Sequence, residues 1–279
     1  MTGSDPRSAP SAPSRMVVNA FGVAVEVLVD GDRADEVTER LPSLWEFCSP
    51  SADIAAEATV LVTFDHDAQV LARARQAGRL TRDRPDDLLQ VLTQRVTVSA
   101  IDARAGQHLM LHACAVADPV TGATAAFVAP GGTGKTTFVR THAPGRWYVT
   151  DETTVVRGDG TVLPYPKPLS VRRSPSSPFK DETAPSRLGL TAPTGPTHLS
   201  ALCLLERTDD HGGPPRVDTL DTLDALMALV PQTSHLPEMT APLQRLAALC
   251  ESVGGVHRVT YREAAQVAGV VDELLGGRE

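Results

Sequence analysis

The sequence predicts a mixed α/β chain, α+β overall, with a small N-terminal α+β region over 16–105 and a larger α/β domain over 106–279. Three observations carry this expectation. At 279 residues the chain exceeds the ~100–200 residues typical of one domain. Runs rich in β-branched residues alternate with segments of helical spacing. Near the middle, an apolar strand-like run passes directly into a glycine cluster and then into a helix-forming stretch.

Taken in order, residues 1–15 (MTGSDPRSAPSAPSR) are polar and Pro/Ser-rich and read as a flexible tail. The run from Met16 to Val29 reads as a strand or a pair bent at Gly22, with turn chemistry at Asp30-Gly31-Asp32. Ala58 to Phe64 is a strand candidate, whereas Leu88 to Arg104 has helical spacing early and β-branched character later. Leu109 to Val116, a turn at 118–122, and Ala123 to Val128 predict an antiparallel hairpin. A short helix and a strand at Trp147–Thr150 follow. Thr153–Val156 and Thr161–Leu163 form a second expected hairpin around Arg157-Gly158-Asp159-Gly160. Arg172 to Thr197 is polar and reads as a long loop, of a length more often found in lids and binding loops than in idle linkers. Beyond it, Leu199–Glu206 and Val256–Tyr261 read as strands, and Thr222–Val230, Ala241–Cys250 and Glu263–Leu275 as helices.

A hydrophobic fraction of 42% and a charged fraction of 22% exclude wholesale disorder and fibrous classes. The net charge of −8 gives no global footprint for nucleic acid, so no nucleic-acid partner is expected. No apolar stretch approaches the ~20 residues that span a bilayer, so no membrane partner is expected. Cys48, Cys114, Cys203 and Cys250 are widely spaced, which fits reduced thiols in a cytoplasm better than a zinc cage or a disulfide framework.

The chemistry concentrates in Ala129-Pro130-Gly131-Gly132-Thr133-Gly134-Lys135-Thr136-Thr137. This is a phosphate-binding loop placed after a strand and before a helix, where backbone N–H groups and the helix N-terminus can face a polyphosphate. Lys135 would reach the β/γ-phosphates and the Thr136 hydroxyl would ligate Mg²⁺. Ala129 stands where the consensus has glycine, which is tolerable if that backbone needs no positive φ. Asp151 and Glu152 follow sixteen residues after Lys135. One of these acids would hold the metal and the other would orient or deprotonate an attacking hydroxyl; a capped strand end is the competing reading. His112, on the strand paired with the one leading into the loop, could approach the γ-phosphate region, although a strand histidine is more often structural. His66, His108, His142, His198, His211, His235 and His257 show no metal-ligand spacing.

Together, LHACAV…GATAAFVAPGGTGKTT…WYVTDETTVV…DGTVLPYPKPLSV resembles the catalytic domain of HPr kinase/phosphorylase, and is similar to the HPr-kinase-like proteins associated with ribosomally made modified peptides. The wider group includes phosphoenolpyruvate carboxykinase, with its short loop-to-acid spacing. The resemblance covers about Leu109–Leu205 and does not reach 16–105. It implies a P-loop kinase domain of the HPr kinase C-terminal type. Residue by residue, His112 matches the family's active-site histidine, Lys135 its phosphate-contacting lysine, and Thr136 its Mg²⁺ ligand. Asp151 and Glu152 match its paired acids, the second being Glu rather than Asp, so either could be the base. The family's further metal-binding glutamate and catalytic arginine do not align; Glu182, Arg172 and Arg173 are the nearest candidates, with a flexible solvated loop as the alternative reading.

The expected function is transfer of the γ-phosphate of ATP, with Mg²⁺, to a Ser/Thr hydroxyl of a peptide or protein, a biosynthetic precursor peptide included. The competing expectations are a small-molecule hydroxyl kinase and a nucleotide-binding regulatory protein without turnover. Homo-oligomerisation is left open, as is the role of 16–105.

Overall fold

A computed structural model of the chain describes residues 12–50, 54–173 and 180–276. The expected tail thus lies mostly outside the described residues, and Ser14 and Arg15 already belong to the first strand. That strand, β1 (Ser14–Ala20), turns through Phe21 and Gly22, both with positive φ, into β2 (Val23–Asp30). Short helices α1 (Asp35–Thr38) and α2 (Leu41–Leu44) lead to β3 (Ala58–Thr63), which pairs parallel to β2 and completes a three-stranded sheet.

Helix α3 (Ala68–Gln76) is capped by the Asp67 side chain, which accepts from the Gln69 N–H. Helix α4 (Pro85–Ala103) then runs unbroken for 19 residues. Pro85 in its first turn has no N–H to leave unpaired, and Asp86 and Asp87 complement the helix dipole. The β-branched second half of this segment is therefore helical. Leu88, Leu89, Leu92, Val96 and Ala100 repeat at helical spacing against the sheet, and burial of that face overrides the weak β preference of Val96, Thr97 and Val98. Thr93 and Thr97 satisfy their buried hydroxyls on the Leu89 and Thr93 carbonyls one turn back. The same core takes in Met110, Val155 and Tyr165 from the larger region that follows residue 105.

The run expected as one strand from Leu109 to Val116 breaks at His112. Strand β4 (Leu109–Leu111) and β5 (Ala113–Ala117) belong to different sheets. Strand β6 (Ala123–Val128) pairs antiparallel with β5, as the hairpin chemistry predicts, and ends at the glycine loop. Helix α5 (Lys135–His142) and β7 (Trp147–Thr150) follow, then β8 (Thr154–Val156) and β9 (Val162–Leu163). Within the segment expected as a long loop, β11 (Lys180–Thr183) pairs antiparallel with β10 (Leu169–Arg172), while residues 184–197 hold only a short helical turn at Pro185–Leu188 and an isolated bridge at Thr191; residues 174–179 of that expectation lie outside the described residues. The remaining elements are β12 (His198–Arg207), β13 (Arg216–Leu220), α6 (Thr222–Leu229), β14 (Thr233–Ser234), α7 (Pro242–Ser252), β15 (Val256–Tyr261) and α8 (Ala268–Gly276).

The main sheet has the order β13-β15-β12-β6-β5-β7, with β6, β12 and β15 parallel. Period-two alternation divides its side chains between two cores. Ala113, Ala115, Ala126, Val128 and Leu202 face Leu229, Leu246 and Leu249 of α6 and α7. Cys114, Val116, Phe127, Ala201 and Cys203 face Phe138 and Val139 of α5 and Val271 and Leu275 of α8. With both faces covered, the strands read as continuous apolar runs. A four-stranded sheet, β14-β4-β8-β9, adjoins it. Among the described residues no helix is long and apolar enough to cross a membrane.

Candidate phosphate-binding site

The glycine loop emerges from an inner strand of the main sheet. Gly132 and Gly134 hold φ of 85° and 106°, which only glycine adopts without strain, and Gly134 is the residue that admits the chain into α5. Ala129 is buried without a positive φ, so the consensus glycine is not needed there. Thr133 N–H and its hydroxyl both donate to the Pro130 carbonyl, closing the turn. Lys135 is buried, and its ammonium donates to the Ala129 carbonyl at 2.6 Å and the Pro130 carbonyl at 3.2 Å. Burial holds its pKa below the usual lysine value.

Asp151 stands at the end of β7, next to α5 in the fold. Its Oδ2 accepts from the Thr136 hydroxyl at 2.8 Å. Its Oδ1 accepts from the Tyr148 hydroxyl at 3.0 Å and faces the Lys167 ammonium at 2.9 Å. Lys167 also reaches Glu152 Oε2 at 3.2 Å. The side chains of Lys167 and Asp151 are each 3% exposed, whereas Glu152 is 36% exposed. Burial opposes the Lys167 charge, but Asp151, Glu152 and Glu182 outweigh it and hold the ammonium well above its ordinary range. One internal cation thus bridges the two adjacent acids and offsets part of their charge.

Sequence reasoning passed over Lys167, although Pro164-Tyr165-Pro166-Lys167-Pro168 carries a signal. A lysine set among prolines in an apolar segment has a fixed backbone and little room to reach solvent. Here Tyr165 N–H bonds to Val149 O at 2.8 Å and ties the segment to β7, which delivers Lys167 to the acids.

His112 occupies the break between β4 and β5. Its N–H donates to the Gln232 carbonyl at 2.7 Å, and its ring lies beside the glycine loop: a Cβ on Gly131 would stand 4.0 Å from His112 Cε1. Burial, and then the Lys135 charge, keep the imidazole pKa below its usual value, so it is neutral at pH 7.

These groups open on one cleft of about 690 Å³, lined by Gly131, Gly132, Gly134, Lys135, Thr136, Thr137, His112, Asp151 and Glu152. Arg140, Arg172, Arg173, Lys180 and Arg207 add to Lys135 and Lys167, so the lining is strongly cationic although the whole chain is acidic. That field suits a polyphosphate. Pro130 and Thr133 complete the turn but are not among the lining residues. Thr93 and Gln94 of α4 form part of the wall, so the N-terminal region contributes directly to the site. No sequence feature marked them.

The candidates from the expected loop separate. Arg172 and Arg173 line the cleft, Arg173 pairing with Asp181 and with Asp86 of α4 at 2.7 and 2.9 Å. Glu182 is neither in a solvated loop nor in the cleft lining. It is buried on β11, its Oε1 accepts from the Ser170 hydroxyl, and its Oε2 has no hydrogen-bond partner. Burial pushes its pKa up to about 7, against the opposing pull of Lys167. Between the ordinary value of 4.5 and about 7, the folded chain retains a proton that the unfolded chain has lost. Stability from this group is therefore complete below 4.5 and falls as pH rises through 7, by up to about 3 kcal/mol. Glu182→Gln should flatten that pH dependence in urea unfolding; an unchanged slope would assign it to other groups.

A magnesium ion at such a loop needs one or two carboxylates beside the phosphates rather than a full protein cage. Among the described residues no three His, Cys, Asp or Glu side chains form such a cage. The Thr136 hydroxyl against Asp151 Oδ2, with Glu152 adjacent, fits the smaller requirement. No protein-family model matches the chain, and no curated protein matches it either.

Proposed function

We propose that the chain is an ATP- and Mg²⁺-dependent phosphotransferase, a P-loop kinase of the HPr-kinase-like type, that phosphorylates a Ser/Thr hydroxyl of a peptide or protein. One observation carries the reading: the Thr136 hydroxyl meets Asp151 at 2.8 Å in the same cationic cleft that holds Lys135, Glu152 and His112. The sequence resemblance over Leu109–Leu205 supports the same assignment.

The loop N–H groups and Lys135 hold the triphosphate, and binding draws the Lys135 ammonium from the loop carbonyls onto phosphate oxygens. Thr136 and Asp151 Oδ2 would hold Mg²⁺, which supplies charge neutralisation across the phosphates. The two acids then divide their labour. Asp151 Oδ1 is occupied by Tyr148 and Lys167, so Asp151 is a fixed metal support. Glu152 is the more exposed and accepts the proton of the attacking hydroxyl, which the neutral His112 helps to orient.

Glu152→Gln should leave Mg·ATP binding nearly unchanged and lower kcat by about 10²–10⁴-fold. Asp151→Asn should weaken the Mg²⁺-dependent part of ATP binding, read by calorimetry with and without the metal. The opposite pattern would exchange the two roles.

A further inference from the structure

A second cleft, of about 310 Å³, meets the first at His112 and Glu152, the two residues that line both. Its other walls come from the N-terminal region through Thr97, Val98 and Ile101 of α4, and from the larger region through Thr153 and the segment from Pro231 to Ser234. Apart from His112 and Glu152 this lining has no ionisable side chain, in contrast to the cationic phosphate side. Val98 is 50% exposed there, an apolar side chain left uncovered beside the reacting groups. The segment 233–234 is β14, the terminal strand of its sheet, paired through Thr233 and Ser234 to β4 alone among the described strands. Its outer edge offers backbone hydrogen bonds to an added strand.

We propose that this cleft is the acceptor subsite, and that its occupant is an uncharged stretch of extended peptide. The peptide backbone adds to the edge of β14, its small apolar side chains rest on Val98 and Ile101, and its Ser/Thr hydroxyl projects toward Glu152 and His112. The inference rests on the phosphotransferase reading and gives the N-terminal region a task, since α4 supplies one wall of each cleft. In the transfer step the acceptor oxygen bonds to the γ-phosphorus, the bond from that phosphorus to the bridging oxygen of ADP breaks, and the hydroxyl proton passes to Glu152.

The test uses the full chain, γ-labelled ATP and three sets of end-capped synthetic Ser/Thr peptides whose flanking residues are neutral, acidic or basic. The neutral set should be phosphorylated at least about tenfold more efficiently than either charged set. Val98→Glu places a charge at a half-exposed position on α4, and an unchanged unfolding midpoint in urea confirms that the variant is folded. It should raise KM for the neutral set by about tenfold or more, shift preference to the basic set, and leave the Kd for Mg·ATP unchanged. Equal use of all three sets, the same preferences in Val98→Glu, or transfer confined to small polyols would overturn the subsite while leaving the nucleotide site standing. Absence of Mg·ATP binding in the parent chain would instead remove the phosphotransferase reading itself, and the subsite with it.

Discussion

Lys135→Ala should abolish measurable phosphate transfer, with kcat/KM falling by at least about 10²–10³-fold, the range for loss of one preorganised charge donor at a reacting centre. The expectation follows from where the ammonium sits. It lies inside the loop, 2.6 Å from the Ala129 carbonyl, on a helix whose first residue it is. Few side chains could replace it, because the loop leaves the cation buried and its pKa depressed. Exchanging two neutral carbonyls for charged phosphate oxygens is then strongly favourable. Nucleotide affinity should fall with turnover, because on the proposed reading the same ammonium would contact both bound and transferring phosphate. Full activity in Lys135→Ala, with far-UV circular dichroism unchanged, would contradict the assignment of the loop.

The second large effect is on stability. Lys167→Met removes the only cation within 4 Å of Asp151 among the described ion pairs, and Asp151 is buried. Breaking a buried pair by deleting one partner typically costs about 3–5 kcal/mol, because a charge is left without compensation. Urea unfolding should show a loss of that order. Adding Asp151→Asn to Lys167→Met should recover much of it, since the double variant no longer buries a lone carboxylate. Losses that simply add would mean that Lys167 contributes packing rather than charge balance. The pair thus joins fold to function: Lys167 lets two adjacent acids be placed at the site, one of them dry.

Much of this arrangement was legible in the residues. The loop, the strand before it and the helix after it form one local pattern whose glycines and Lys-Thr pair have no common alternative use. The hairpins at 118–122 and 157–160 announce themselves by turn chemistry. Other parts were hidden by their dependence on distant partners. Val96, Thr97 and Val98 look extended until the sheet that buries their helix is known. The break at His112 has no local signal, because β4 and β5 are equally apolar and part only through their partners. Strand β13 (RVDTL) is polar and partly exposed at a sheet edge, so it lacks the alternation by which strands are read. Glu182 sat in a polar, Pro-rich stretch that suggested solvent, yet pairing of β10 with β11 buries it against Ser170. The walls of α4 were invisible for the same reason: Thr93, Gln94 and Val98 are ordinary helix residues until the two halves of the chain meet.

Intact-mass spectrometry after incubation of the full chain with Mg·ATP and hydroxyl-bearing peptides tests the central claim most directly. A phosphate-sized gain on a peptide, lost in Lys135→Ala and strongly slowed in Glu152→Gln, is the result expected of a peptide phosphotransferase built on this cleft. Binding of Mg·ATP with no mass gain on any peptide would contradict it, and would leave a nucleotide-binding protein whose cleft serves a different acceptor or none.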